Sequence, residues 1–228
     1  MTGWELQQTT VAAASAEGTE TARRALNLTV AGLGLLLAAP VLFVIAALIK
    51  LTSRGPVLYT QTRVGVDRRL ERSGSSNHRR TTDQGGKPFT IYKFRTMYIT
   101  MSSPPEVWAT RNDPRVTPLG RILRKYRLDE LPQFLNVLRG DMNVVGPRPE
   151  QPTIFARLRE QVPGYQGRQS VPPGITGWAQ VNQRYDTSID DVRRKVSLDL
   201  EYVARRSVLE DLRILARTVP VVLNKGGW

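Results

Sequence analysis

Two adjacent carboxylates, Asp129 and Glu130, follow Arg124, Lys125 and Arg127 in the stretch "RKYRLDELPQFLNVLRGDM", residues 124–142. A carboxylate pair ringed by cations suits chemistry on a diphosphate. One carboxylate can attack phosphorus, the other can hold Mg²⁺, and arginines can neutralise the phosphoryl oxygens. Nearby cations are also expected to favour the ionised form of Asp129 at neutral pH. Composition narrows the choice further. The 228 residues include no cysteine and one histidine, His78. Thiolate nucleophiles and Cys-based zinc sites are excluded, and an aspartyl phosphate is among the few covalent routes left. A structural role competes: Asp before an apolar run is a good helix N-cap, and Glu and Pro132 both suit a first turn. Leu131, Phe134, Leu135 and Leu138 then recur at helical spacing.

Three further stretches put charge beside Gly, Pro or aromatic residues. In "KPFTIYKFRTM", residues 87–97, alternation would place Lys93 and Arg95 on one face of a strand with Ile91; an edge strand guarded by charge has the same pattern. In Gly146-Pro147-Arg148-Pro149, flanking prolines stiffen the backbone behind a guanidinium that can meet a phosphate, or simply water. "VPPGITGWAQVNQRY", residues 171–185, is an aromatic-bearing loop and strand whose Arg184 alone suggests a solvated charge.

The elements that must position these groups begin with a membrane-like segment. Residues 1–22 are polar and small and predict a loose tail; Arg23 and Arg24 then open onto "ALNLTVAGLGLLLAAPVLFVIAALI", residues 25–49. A helix of that length can cross a hydrocarbon core of ~30 Å. Pro40 should kink or break it, and cations at both ends, Lys50 and Arg54 on the far side, give no inside–outside asymmetry. A span and a hairpin dipping into one leaflet are equally compatible with these features. Residues 57–62 and 87–97 resemble strands around a long polar loop, 67–86, and residues 117–138 a helix interrupted before Asp129. Two amphipathic helices close the chain, one with Ile189, Val192, Val196, Leu200 and Val203 on a face, the other with Leu209, Leu212, Leu215 and Val219. A formal charge of +13 calls for an anionic partner: nucleic acid, lipid surface or phosphorylated substrate.

Five strings in order, "GPVLYTQTRVG", "GKPFTIYKFRTM", "DPRVTPLGRILRKYRLDELPQFLNVLRGDMNVVGPRPE", "PGITGWAQVN" and "KVSLDLEYVARRSVLEDLRIL", resemble the monotopic phosphoglycosyl transferases, the bacterial sugar transferase family. The resemblance covers about Arg23 to Leu223. It implies an α+β, helix-dominated fold: a re-entrant membrane helix over 23–50 broken at Pro40, then a catalytic domain over 51–228 with a small sheet and interfacial helices. It implies transfer of a phosphosugar from a UDP-sugar to a polyprenol phosphate, undecaprenyl phosphate by expectation, at the cytoplasmic face of the bacterial inner membrane. Asp129 would be the nucleophile that expels UMP and carries the phosphosugar. Glu130, with Asp129, would hold Mg²⁺ and assist proton movement. Arg148 with Pro147 would bind the nucleotide phosphates, Lys93, Arg95, Arg127 and Arg184 would be further substrate contacts, and Asp199 an acidic group supporting the site.

The chain departs from the family pattern at Ala39 and Asn27, where Ser and Asp are usual, and at Arg127, where many members carry Ser. Anionic lipids are expected partners and nucleic acid is not; a homo-oligomer stays open. A membrane-tethered nucleic-acid binder would need aromatics interleaved with basic residues, which only 89–95 offers, and a basic lipid-binding scaffold gives the Asp-Glu pair no task.

Overall fold

The computed structural model describes residues 3–67, 85–99, 113–183 and 188–223, with side chains from residue 18 onward. Helix α1 (Gly3–Thr52) is followed by the antiparallel hairpin β1 (Leu58–Val64) and β2 (Pro88–Phe94). Then come α2 (Pro118–Lys125), a 3-10 turn (Leu128–Gln133), α3 (Phe134–Arg139), β3 (Asn143–Val145) and α4 (Pro152–Gln161). A second 3-10 turn (Tyr165–Ser170), β4 (Gly174–Thr176), α5 (Trp178–Asn182), α6 (Ile189–Arg205) and α7 (Val208–Leu223) complete it. The fold is helix-dominated, as expected, with two small sheets where one was expected.

Helix α1 begins at Gly3, so the polar segment expected to be a loose tail is helical. Its alanines, Ala12, Ala13 and Ala14 among them, are the best helix formers, and the polar residues around them do not interrupt the run. The helix also passes through Pro40 without a break. Proline removes one hydrogen bond, from the Leu36 carbonyl, and a long flanking helix can absorb that loss as a bend rather than an end. From Gly18 to Thr52 the helix is long and apolar enough to cross a membrane, and only 11% of its most apolar window is buried. The exposed face carries Leu33, Leu36, Leu37, Phe43, Val44 and Leu51.

The opposite face docks along the body at both ends. Near the start, the buried Arg23 donates to Asp211 at 2.9 Å and to the Tyr202 hydroxyl at 2.7 Å. Asn27, the residue in place of the usual Asp, accepts from the Val144 N–H at 2.6 Å and donates to the Arg23 carbonyl at 2.7 Å. An amide does both; a carboxylate could only accept. Ala31 packs with Phe89, Ile91, Val137 and Met142, and near the far end Ile45 and Ile49 pack with Phe94 and Leu123.

The last two helices differ in what they bury. α6 turns Val192 and Val196 into the core beside Phe155 and Tyr165, as its periodicity predicts. α7 does the reverse. Asp211 and Ile214 face the body while Leu209, Leu212 and Val219 are exposed, so most of the apolar stripe points away from the body.

Candidate active site

The turn that bears the carboxylates is built by a failed helix. α2 starts at Pro118, capped by the Thr117 hydroxyl accepting from the Gly120 N–H, and stops at Lys125. Arg127 then adopts a left-handed backbone, φ 54°, the one non-glycine residue with positive φ among those described. Such a conformation costs an ordinary side chain roughly 1 kcal/mol and clusters at functional sites. It redirects the chain into the 3-10 turn that carries Asp129 and Glu130 in its first turn. The cap position belongs to Arg127, and Asp129 caps nothing. The structural role that competes in the sequence is therefore absent.

The two neighbours sit in opposite surroundings. Glu130 is 6% exposed, and its Oε1 accepts from Lys93 Nζ at 2.8 Å and Arg148 Nη2 at 2.6 Å. Its Oε2 lies 3.4 Å from Arg148 Nη1 and 3.7 Å from Arg127 Nη1. Burial alone would raise its pKa, but Arg148 and Lys93, helped by Arg127, outweigh burial and hold it well below the usual carboxylate range. Asp129 is 8% exposed, and no described side chain donates a hydrogen bond to it. Burial, then the charge of Glu130, pushes its pKa up, against the weaker pull of Lys93, Arg124 and Arg148. This corrects the expectation that the cations keep Asp129 readily ionised: they are spent on Glu130. Burial likewise lowers the Lys93 ammonium, which Glu130 only partly restores.

Each cation has its own support. β2 is locked to α3 by the fully buried Asn136, which accepts from the Tyr92 N–H at 3.2 Å and donates to the Thr90 carbonyl at 2.7 Å. This fixes the register of Lys93. Arg148 comes from the turn after β3, which pairs in parallel with β4 so closely that a Cβ on Gly146 would lie 2.5 Å from the Pro172 carbonyl oxygen. Pro147 contributes backbone, its carbonyl accepting from the Gly174 N–H at 2.9 Å. Behind it, the buried Arg168 donates to the Arg148 carbonyl at 3.0 Å and to Asp199 at 2.7 Å. Asp199 thus lies one cation removed from the site. Glu150 anchors the same turn through Lys195 at 2.7 Å; burial opposes its ionisation, yet Lys195, Arg168 and Arg63 bring its pKa down to about 2.

The structure therefore gathers Asp129, Glu130, Lys93, Arg127 and Arg148, with Pro147 as backbone. Arg95 does not join them: past the end of β2 its guanidinium turns to Ser53, donating to both its carbonyl and its hydroxyl at 2.8 Å. The strand ends at Phe94, so the alternation that would align Arg95 with Lys93 ceases there. Pro40 lies on the exposed side of α1, and Arg184 lies outside the described residues. Asn136, Glu150 and Arg168 carry no signal by type or spacing, although Glu150 closes the string "GPRPE". For Mg²⁺, the donor set is uneven. A dication at Glu130 would have to displace Arg148 or Lys93, whereas Asp129 is open; Mg²⁺ is commonly held by one or two carboxylates and substrate phosphates. Among the described residues no group of three or more carboxylate or histidine ligands exists.

Comparison with known proteins gives this geometry a context. The chain is 43% identical over 199 residues to the UDP-glucose:undecaprenyl-phosphate glucose-1-phosphate transferase of Escherichia coli K12, 86% of the chain but 39% of that protein. Against the Caulobacter vibrioides protein of the same name the identity is 40%, covering 89% of the chain and 70% of the relative. It is also 40% identical to an exopolysaccharide production protein of Rhizobium leguminosarum, covering 84% and 90% respectively. The chain thus spans about two fifths of the E. coli relative and most of the Rhizobium one. The bacterial sugar transferase family matches residues 18–225, from Gly18 within α1 to just past α7, and the chain belongs to that family.

Proposed function

We propose that the chain transfers a sugar 1-phosphate from a UDP-sugar to undecaprenyl phosphate through a covalent intermediate on Asp129. The observation that carries this is the division of labour in the pair: Glu130 is saturated by cations, and Asp129 is buried beside them and hydrogen-bonded by none of those described. The substrates are those in the names of its relatives. An Asp129 carboxylate oxygen attacks the sugar-bearing phosphorus; the bond from that phosphorus to the bridging oxygen breaks, and its electron pair leaves with UMP. A phosphate oxygen of the acceptor then attacks the same phosphorus. The bond to Asp129 breaks, the carboxylate is restored and a polyprenyl diphosphosugar departs.

Arg148 and Lys93 meet the phosphoryl oxygens and offset the charge that develops on them. Glu130 holds those cations in place and keeps the pocket's excess positive charge in check. Bound Mg²⁺, with Asp129 as the protein donor beside the diphosphate, would supply further charge neutralisation. A nucleic-acid-binding role has no support in the aromatics of 89–95: Phe89 and Phe94 are core residues, and the Tyr92 ring is covered by Arg139 at 4.8 Å. The test is release of UMP by purified protein with Mg²⁺, undecaprenyl phosphate and a panel of UDP-sugars. Sugar-selective release is the expected result; no release with any donor would overturn the proposal.

The membrane segment enters and leaves on one side, the cytoplasmic side. Gly34 already abuts the Phe134 ring, and Leu42 packs into the Phe94–Leu123 cluster. The undocked stretch between them rises only about 12 Å, against the ~30 Å of a hydrocarbon core. A helix tied to one polar body at both ends cannot cross with that body outside the bilayer, so it lies embedded in one leaflet, and the exposed leucines of α7 rest on the same surface. Because the chain has no cysteine, Gly18→Cys and Arg54→Cys can be introduced singly. Both are expected to react with an impermeant maleimide in inverted membrane vesicles and neither in spheroplasts. Opposite accessibility of the two would establish a span instead.

A further inference from the structure

A groove of about 240 Å³ opens beside the carboxylate pair, between the 128–133 turn, α5 and α7. Its wall is formed by Leu131, Phe134, Ile175, Val181, Val221 and Val222. The polar groups within it are turned on one another: the Thr176 and Thr218 hydroxyls share a hydrogen bond at 2.8 Å, Thr218 donates to the Ile214 carbonyl, and Gln180 donates to the Ile175 carbonyl. What remains facing the space is apolar. Arg127 and Glu130, from the charged side of the candidate active site, line it. Phe134 lines it too, and its ring lies against Gly34 of the exposed apolar helix. The slot therefore joins an anion site to the surface that faces lipid.

The geometry points to this groove as the seat of the first isoprene units of the polyprenyl phosphate acceptor, with Arg127 facing its phosphate. A ligand with an anionic head and a branched hydrocarbon tail matches both parts of this lining; a nucleotide sugar, polar throughout, matches only one. The volume admits only the head-proximal part of the chain, and the remainder passes over α1 and the exposed leucines of α7 into the bilayer. Arg127 then has a reason for its strained backbone, which turns the chain at the groove and leaves its guanidinium 3.7 Å from Glu130. Binding energy from the tail, remote from the reacting phosphorus, would be used to place the acceptor phosphate.

The inference rests on the transferase function proposed above, so the test separates the two half-reactions. Exchange of labelled UMP into UDP-sugar needs no acceptor and reports the donor half alone; its absence in wild type would overturn the covalent transfer proposed above. In Val181→Trp and Val221→Gln, the KM for undecaprenyl phosphate is expected to rise about tenfold while the KM for UDP-sugar in exchange stays put. An unchanged KM for the acceptor in both variants would overturn the groove assignment. A second measurement needs no variant: a polyprenyl phosphate with a diazirine in its first isoprene unit is irradiated with the wild-type protein. Label on residues 174–183 or 208–223 is the expected outcome, and label confined to residues 33–51 would overturn the assignment.

Discussion

Replacing Asp129 with Asn is expected to abolish sugar-dependent UMP release, by at least about 10³-fold, while raising the melting temperature. The two effects share one cause. The carboxylate is buried, receives no hydrogen bond from the described side chains and sits beside a second carboxylate, so its ionised form is disfavoured in the folded protein. A group with a raised folded pKa stabilises fully only below the unfolded carboxylate value, near 3.9, and that contribution is lost as pH rises through the folded pKa. At neutral pH ionised Asp129 is therefore a burden on the fold. Removing the charge should add about 1 kcal/mol, or about 2–4 °C for a chain of this size, and the gain over wild type should vanish in acid. Thermal melts at several pH values, paired with UMP release, check both halves. A cap-like role predicts the opposite sign, with stability down and activity largely kept. The wild-type rate of the donor half-reaction should also climb with pH through a pKa above the ordinary aspartate range, because only the ionised form attacks.

Much of this site was legible in the sequence, and the reason lies in how local its parts are. The break before Asp129, the adjacency of the two carboxylates and the stiffness of Pro147-Arg148-Pro149 are set within a few residues, and the structure keeps all three. Lys93 is legible too, as a charge in line with the core-facing Phe89 and Ile91 of an alternating strand. What sequence could not supply is which cation goes to which carboxylate. That depends on β3 pairing with β4, on Arg168 holding the Arg148 carbonyl, and on Asn136 pinning β2, contacts that join residues far apart along the chain. Arg95 shows the converse failure: strand alternation aligned it with Lys93, but the strand ends one residue too soon. α7 shows another. Periodicity identifies an apolar stripe but not whether protein or lipid covers it, and here Asp211 is drawn inward by Arg23 while Leu209, Leu212 and Val219 turn out.

Glu130 is the test of whether neighbouring carboxylates can carry opposite energetic signs. Glu130→Gln preserves shape but withdraws the charge that holds Lys93 and Arg148, both of which reach it within 2.8 Å. Breaking a buried ion pair from one side typically costs ~3–5 kcal/mol, because the partner charge is left uncompensated. Arg148 and Lys93 are both only partly buried and can turn to water, so the expected loss is near the lower end, about 3 kcal/mol. The depressed pKa of Glu130 sets the window. Its contribution is present above the ordinary glutamate range and lost only as pH falls through a value well below it, so the deficit should hold steady from mildly acidic to neutral pH. Activity should fall about 10²–10³-fold, the usual consequence of misplacing a preorganised cation at a developing charge. Adding Asp129→Asn to Glu130→Gln should lose much of the stability gain that Asp129→Asn gives alone, since the repulsion between the two carboxylates has already gone. Additive melting temperatures across that cycle would mean that the carboxylates do not sense each other, and that burial alone sets Asp129 apart.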